Sequence, residues 1–422
     1  MLALIRPLFS LLLGVSLLLM GSGLLGTLIA VRGTSEGFSA AALGFMMSAY
    51  FCGFFLGTYA GPPLIRRLGH VRAFAFFAAA AAATALLHAM LVNPWAWGVL
   101  RLLIGMALVG LYTVIESWMN AQAPNERRGQ VFATYMVINL LSLAMGQQLL
   151  RLAAPQGFEL FSLVALLTCL ALMPVTWTRL PQPALPERAP FGVRRLLQAA
   201  PTAAVGALMS GLAMGAFWGL APVFAARNGL APASVATFMS VAIVGGAVMQ
   251  WPIGHWSDRR DRRRVLVMVC AGASAAAALL LLGHGWSGML FAGVFLYGGL
   301  AFAVYPLVVA HLMDRLEPHV MLGGSAALLM VNGLGAAIGP ALAGMLMESL
   351  GSASLLAYLA LVQGSLAAYT AWRLTRRSSQ VVAPAHFLPM LRTTPAVMEL
   401  LPEADSPHPS ASPSDAIDTQ SS

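Results

Sequence analysis

Apolar runs of about 20 residues, the length a helix needs to cross a bilayer, follow one another along most of this chain and leave short polar turns between them. Twelve spans are predicted. The first six are Pro7–Val31, Leu43–Ile65, Ala73–Leu91, Trp97–Met119, a run from Gly129 to Leu150, and Phe158–Trp177. The second six are Pro201–Ala225, Val235–Ile253, Val265–Leu282, Met289–Met313, Met321–Met347 and Ser354–Leu374. Backbone groups in hydrocarbon have no water to bond to, so apolar runs of this length must close their hydrogen bonds within helices. An all-α integral membrane protein is therefore expected, and a hydrophobic fraction of 59% with a mean hydropathy of +0.79 excludes a soluble globular fold.

The charges sit in the turns. Gly254 to Val265 reads Gly-His-Trp-Ser-Asp-Arg-Arg-Asp-Arg-Arg-Arg-Val, five arginines and two aspartates in twelve residues. One arginine at a helix centre costs about 2.5 to 3.5 kcal/mol on insertion scales, so this stretch is a turn outside the hydrocarbon. With both termini on one side, nineteen arginines fall on that side and three, Arg32, Arg151 and Arg227, on the other. The positive-inside rule places the nineteen, the termini and the Gly254 turn in the cytoplasm, as expected for a bacterial inner-membrane protein. The net charge of +9 is thus a topology signal and not a nucleic-acid footprint. All 24 basic residues are arginine; without lysine there is no Walker A loop and no Schiff-base chemistry. Cys52, Cys169 and Cys270 read as small hydrophobes, and no His or Cys pair has metal-site spacing, so neither metal nor cofactor is expected.

The rhythm repeats. Residues 1–177 form one six-helix bundle, and a Pro-, Arg- and Glu-rich stretch over 178–200 reads as a cytoplasmic linker. Residues 201–377 form the second bundle, and 378–422, rich in Pro, Ser and Asp, read as a disordered cytoplasmic tail. Shifting the first half by 194 residues places Met119 on Met313, Pro124 on Pro318, Gly129 on Gly323 and Met136 on Met330. A shift of 192 lays Arg67 on Arg259 and Arg72 on Arg264. Such internal symmetry is the mark of a duplicated transporter. Glycines at four-residue spacing, Gly53/Gly57/Gly61 and Gly211/Gly215/Gly219, predict close helix approaches.

These motifs carry a resemblance. Gly254-x-x-x-Asp258-Arg259-x-Asp261-Arg262-Arg263 is similar to the signature between helices 2 and 3, repeated between 8 and 9, of the major facilitator superfamily of secondary transporters. In the first-half copy Arg67 and Gly69 match, Arg66 stands in place of the aspartate, and the leading glycine is displaced to Gly61. Arg101-x-x-x-Gly105 and Gly335-x-x-x-Gly339-Pro340-x-x-x-Gly344 look like two further family elements. Glu116-Ser-Trp-Met-Asn120, followed by Asn125-Glu-Arg-Arg-Gly129, resembles the YcaD-like group of that superfamily. The resemblance implies twelve transmembrane helices in two pseudo-symmetric bundles and a gating role for the signature. In the family its aspartate faces the start of helix 11 and nearby arginines and latches the outward-facing state. Asp258 at a helix N-terminus would suit that task; the plainer alternative is a cluster that only keeps the loop in the cytoplasm.

Charges within the spans are the sharper candidates. Arg101 and Glu116 lie about 22 Å apart along one helix and about 60° apart around it, too far to pair but able to face one cavity. Arg101 is a candidate substrate or coupling group. Glu116 is either a proton carrier or the partner of Arg127 or Arg128. His311, Asn139 and Asn332 are candidate ligand contacts or helix-to-helix hydrogen bonds, and Tyr112 and Trp218 line the cavity or pack. The expected function is a monomeric secondary transporter of a small solute. Coupling to protons is expected over sodium, because the spans hold no cluster of acidic ligands, and the family motifs suggest export of an amphipathic compound. Uptake of a small polar solute and a non-transporting sensor or scaffold are the alternatives. An enzyme would need a nucleophile, metal set or carboxylate pair that the sequence does not display.

Overall fold

The computed structural model describes residues 2–123, 127–177, 192–283, 287–317 and 320–376, together with Pro183 and Phe387. The described residues form α-helices, with one 3-10 turn at Leu149–Arg151 and no strand. The first half holds α1 (Leu2–Ser35), α2 (Ala40–Leu68), α3 (His70–Met90), α4 (Pro94–Gln122), α5 (Arg128–Gln148) and α6 (Glu159–Trp177). A short α7 (Val193–Ala199) precedes α8 (Pro201–Arg227), α9 (Pro232–Asp258), α10 (Arg262–Gly283), α11 (Ser287–Met313), α12 (Met321–Leu350) and α13 (Ser354–Arg376). Every helix but α7 is long and apolar enough to cross a membrane, which makes the twelve predicted spans.

Two features differ from the sequence expectation. Helices outrun their apolar cores: α9 continues to Asp258 and α10 begins at Arg262, so the charged Gly254 stretch contains a turn of only residues 259–261. Hydropathy marks the depth of the hydrocarbon, whereas a helix continues past it wherever long side chains reach water. The linker also contains α7, a helix too brief to show a period, which packs on α8 and α12 and buries Leu196. The rest of the expected linker, Pro183 and Gly192 onward excepted, lies outside the described residues, as does the expected disordered tail apart from Phe387.

The duplication is visible in the packing. Within the first half, α1 packs on α5 and α6, α2 on α4, and α3 on α4 and α6; in the second, α8 packs on α12 and α13, α9 on α11, and α10 on α11 and α13. The same partners recur in the same order, as a parallel repeat requires. Glycines set the closest approaches. A side chain at Gly53 would run into the Leu102 carbonyl, fixing α2 on α4, and one at Gly211 into the Asn332 carbonyl, fixing α8 on α12. In lipid, where burial of apolar surface gives helices no mutual attraction, this backbone contact is a main source of cohesion.

The halves meet through α2 against α12, α5 against α9 and α1 against α8. Most of the hydrogen bonds described across that junction lie at the end opposite the arginine-rich turns. Glu348 Oε2 accepts the Ala40 N–H at 2.7 Å, and Ser48 Oγ accepts the Ala341 N–H at 3.0 Å. Gln148 Nε2 donates to Ser240 Oγ at 2.6 Å, Ser240 donates to the Ala144 carbonyl at 3.1 Å, and Arg151 donates to Thr237 at 2.5 Å. Further toward the arginine-rich end the last described link is Tyr59 to Met330 Sδ, 3.4 Å. At about 100° per residue, Leu141 and Val137 share the face of α5 that carries Gln148, and Val244 and Trp251 share the face of α9 that carries Ser240. All four are exposed, Val137 at 64% and Trp251 at 74%. The same two faces therefore touch at one end and are uncovered toward the other.

Candidate functional site

Directly beneath the joined end lies a cavity lined from both halves: Thr27 and Gly23 on α1, Met47 and Tyr50 on α2, Arg101 on α4, Gln147 on α5 and Trp218 on α8. Arg101 is buried, donates from Nη2 to Met47 Sδ at 3.1 Å and lies 4.4 Å from the centre of the Tyr50 ring. A thioether and an aromatic face hold a guanidinium by polarisability and cation–π attraction, which desolvation strengthens. Gly105, one turn along α4, lets that helix lie against the Tyr50 carbonyl, so the Arg101-x-x-x-Gly105 spacing places the charge and brings its ring partner to it. Trp218 packs on Phe302 at 5.3 Å, and its neighbour Gly219 lies against Met47 across the junction. The cavity is partly open, and its free space of about 30 Å³ is room for about two waters.

Of the predicted site residues, the structure brings Arg101 and Trp218 to this cavity. Tyr112 is buried against Phe54, 6.2 Å between rings, and is not among the lining residues. Asn332 donates to the Ala207 carbonyl at 3.0 Å and so ties α12 to α8. Tyr50, Met47 and Thr27 were missed by sequence reasoning. They look like ordinary span residues, and only the Arg101 contact and the bond from Thr27 Oγ1 to Gln147 Oε1, 2.5 Å, distinguish them.

Glu116 sits toward the other end of α4, fully buried, and does not line this cavity. Its Oε1 accepts the Tyr135 hydroxyl of α5 at 2.9 Å. Asn139, one turn on, donates to the Tyr135 carbonyl at 2.7 Å. A carboxylate and a phenol thus join α4 to α5, with the Asn139 amide one turn on along α5 and Tyr112 one turn before Glu116 on α4. Tyr135 is a partner that spacing along α4 alone could not reveal, because it comes from a different helix.

The arginine-rich end carries the signature residues. Arg262 is the hub: Nε lies 2.7 Å from Asp314 Oδ2, and Nη1 lies 3.0 Å from Asp258 Oδ1 and 3.1 Å from Ser257 Oγ. Asp258, Arg262 and Asp314 thereby lock the ends of α9, α10 and α11 together. Asp258 closes α9 rather than opening a helix, so the favourable N-terminal position falls to Asp261. That residue caps α10, accepting the Arg263 N–H at 2.9 Å and pairing with the Arg263 guanidinium at 3.1 Å. Burial opposes ionisation of Asp261, but the hydrogen bonds and charge of Arg263 outweigh it and hold the carboxyl below its usual range. His311 is buried among Arg315, Arg263, Asp261 and Arg262, beneath the cluster and away from the cavity. Arg259 and Arg67 are exposed. Gly69 ends α2 with φ +80°, a conformation that only glycine adopts without strain, and donates to the Ile65 carbonyl at 2.8 Å.

A duplicated bundle of twelve spans, joined at one end over a cavity at the boundary of its halves, is the architecture of a secondary transporter that alternates access between two sides of a membrane. The chain belongs to the Major Facilitator Superfamily, whose family profile matches residues 11–201 and 203–400. Among its relatives is YcaD of Escherichia coli O17:K52:H18, described as an uncharacterized MFS-type transporter, 27% identical over 349 residues that cover 82% of this chain and 90% of YcaD. YcaD of Salmonella newport is 26% identical over 347 residues with the same coverage of both chains. Among solved structures, the nucleoside transporter NupG superposes with a TM-score of 0.73 at 15% identity, covering 89% of this chain and 100% of NupG. A variant of the peptide transporter POT gives 0.72 at 14%, covering 88% and 94%. The protein is a multi-pass membrane transporter of this superfamily.

Proposed function

We propose that this carrier moves a small amphipathic acid, that its arginine-rich end faces the cytoplasm of the bacterial inner membrane, and that proton movement through Glu116 drives export. The observation that carries the reading is the lining of the cavity: Arg101 is its charged residue, Tyr50, Phe51 and Trp218 offer aromatic faces, and Thr27 and Gln147 add polar groups. A cation set among aromatic rings suits an anionic head on an apolar body. The nineteen-to-three arginine asymmetry supports the orientation. With that orientation the arrangement is open to the cytoplasm.

Glu116 suits the coupling role because it is an ionisable group buried between helices and hydrogen-bonded to Tyr135 of α5, and intramembrane ionisable groups mark proton pathways. Alternation that changes its access to water would let it take up a proton on one side and release it on the other. The signature network at Asp258, Arg262 and Asp314 belongs to one half in this arrangement, as a gate that is open should.

The test is purified protein in proteoliposomes with a panel of aromatic and aliphatic carboxylic acids, recording solute flux and internal pH together. Arg101→Gln abolishes flux of the acids, and Glu116→Gln abolishes solute-dependent proton movement. Flux without proton movement and unchanged by Glu116→Gln would sink the coupling. Equal transport of acids and cationic analogues, unaltered by Arg101→Gln, would sink the substrate class.

A further inference from the structure

Phe387 is eleven residues beyond Arg376, a reach of about 35 Å of extended chain, and it is packed. It is 8% exposed, its N–H donates to Asp258 Oδ1 at 2.9 Å, and its ring lies so close to Gly254 that a methyl group there would run into it. The place it occupies on α9 is informative. At about 100° per residue, Gly254 falls at the same angle as Ala236, eighteen residues earlier, and Asp258 at the same angle as Ser240. Ala236 and Ser240 are the residues that bond to Gln148 of α5 at the joined end. Between them and Gly254, Val244, Ala247 and Trp251 on this face are exposed while Ile243 at its edge is buried, and Gly254 is buried where the Phe387 ring covers it. On the opposing face of α5, Val137 and Gln130 are exposed at the same level of the bundle.

We propose that Phe387 is a wedge: the C-terminal tail seats this ring on the face of α9 that closes against α5 and thereby holds the arginine-rich end apart. Closure brings α5 to the surface that Phe387 covers, and it needs the Asp258 carboxylate released from the Phe387 N–H. Ring and helix compete for one site, so the tail sets the balance between the two access states. Gly254 contributes by its lack of a side chain, which makes the seat flat enough for an aromatic ring. The proposal rests on alternating access between the halves.

The experiment uses the full chain in nanodiscs with spin labels at Gln130→Cys and Arg260→Cys, Cys52 and Cys169 having been exchanged for alanine, and reads the distance distribution across the arginine-rich end. Phe387→Ala, which gives up the burial of a phenyl ring, raises the ratio of short to long distances about tenfold or more, and Phe387→Tyr leaves it near the starting value. Truncation after Arg377 acts like Phe387→Ala, and a peptide of residues 378–392 added in trans reverses it, whereas the same peptide with alanine for phenylalanine does not. An unchanged distribution in both Phe387→Ala and the truncated chain overturns the wedge. Gly44→Ala, which strains the joined end, separates this from failure of the underlying movement: if it shifts the distribution and Phe387→Ala does not, only the wedge is wrong. If neither shifts it, both fail.

Discussion

Gly44→Ala places one methyl group where it strains only one of two states. Gly44 of α2 lies in the junction against α12, and a Cβ there would overlap the Pro340 carbonyl oxygen and come within 3.0 Å of the Gly344 Cα and 3.3 Å of the Pro340 carbonyl carbon. All three are backbone atoms of the opposite half, so no rotamer change relieves the overlap and the helices must separate. Gly344 answers from the other side, where a Cβ would meet the Ala40 carbonyl at 2.7 Å. Inserting a methyl group into packing this tight costs about 1 to 3 kcal/mol. In the opposite access state these ends part and the cost disappears, so the equilibrium moves toward it by about 5- to 150-fold at 1.4 kcal/mol per decade. The Gln130/Arg260 label pair reads this as a gain in the short distance across the arginine-rich end. Gly53→Ala is the control. Its methyl group would strike Leu102, whose carbonyl carbon is 2.8 Å away within the same half, so it strains both states alike, lowering thermal stability without moving the distribution. A distribution unchanged by Gly44→Ala, or moved equally by Gly53→Ala, would refute the reasoning.

Ser240→Ala removes the hydroxyl that both accepts from Gln148 and donates to Ala144; it shifts the same distribution in the same direction by about fivefold, the worth of roughly 1 kcal/mol. Asp314→Ala leaves the buried Arg262 guanidinium without its 2.7 Å partner, and because Asp258 and Ser257 still bond to it the cost falls below the roughly 3 to 5 kcal/mol of a fully uncompensated buried charge, seen as a lower unfolding temperature that drops further in the double variant Asp258→Ala/Asp314→Ala. Asp261→Asn keeps a capping oxygen but loses the pair with Arg263. Because the carboxyl is held below its usual range in the folded chain, its contribution is present above the unfolded value of about 3.9 and fades as pH falls through the folded one. The stability gap between the native protein and the Asp261→Asn variant therefore persists at pH 7 and closes in strong acid, as pH-dependent thermal denaturation will show.

Much of the fold was legible because lipid removes alternatives. A run such as Pro201–Ala225 can only be a helix, and α8 contains it; the Gly254 stretch was read as a turn, and Arg259 and Arg260 lie in one, although Arg262, Arg263 and Arg264 belong to the first turn of α10. The glycine ladders also read correctly, since Gly53 and Gly211 do bring α2 to α4 and α8 to α12. The cavity was legible only at its charged member. Arg101 is conspicuous in an apolar run, whereas Met47 and Tyr50 gain meaning only from the guanidinium that they hold from another helix. Glu116 was conspicuous for the same reason, but its bond to Tyr135 crosses between helices and depends on their rotation. Asp258 and Asp261 were indistinguishable in the motif until the end of α9 and the start of α10 assigned one to the Arg262 hub and the other to a helix cap. The tail read as a polar extension, and nothing in its composition marked Phe387.

By itself, then, the order of residues determined the twelve helices, the glycine faces at which they can approach closely and the side of the bundle that carries the charge, because these follow from hydropathy, helical periodicity and small-residue spacing acting locally, whereas the structure decided which helices pair there. Which faces of α2, α5, α9 and α12 are joined and which are uncovered, only the tertiary structure decided. Those contacts link residues far apart in the chain, such as Ala40 and Glu348, and the same sequence must support both of the arrangements between which the transporter moves.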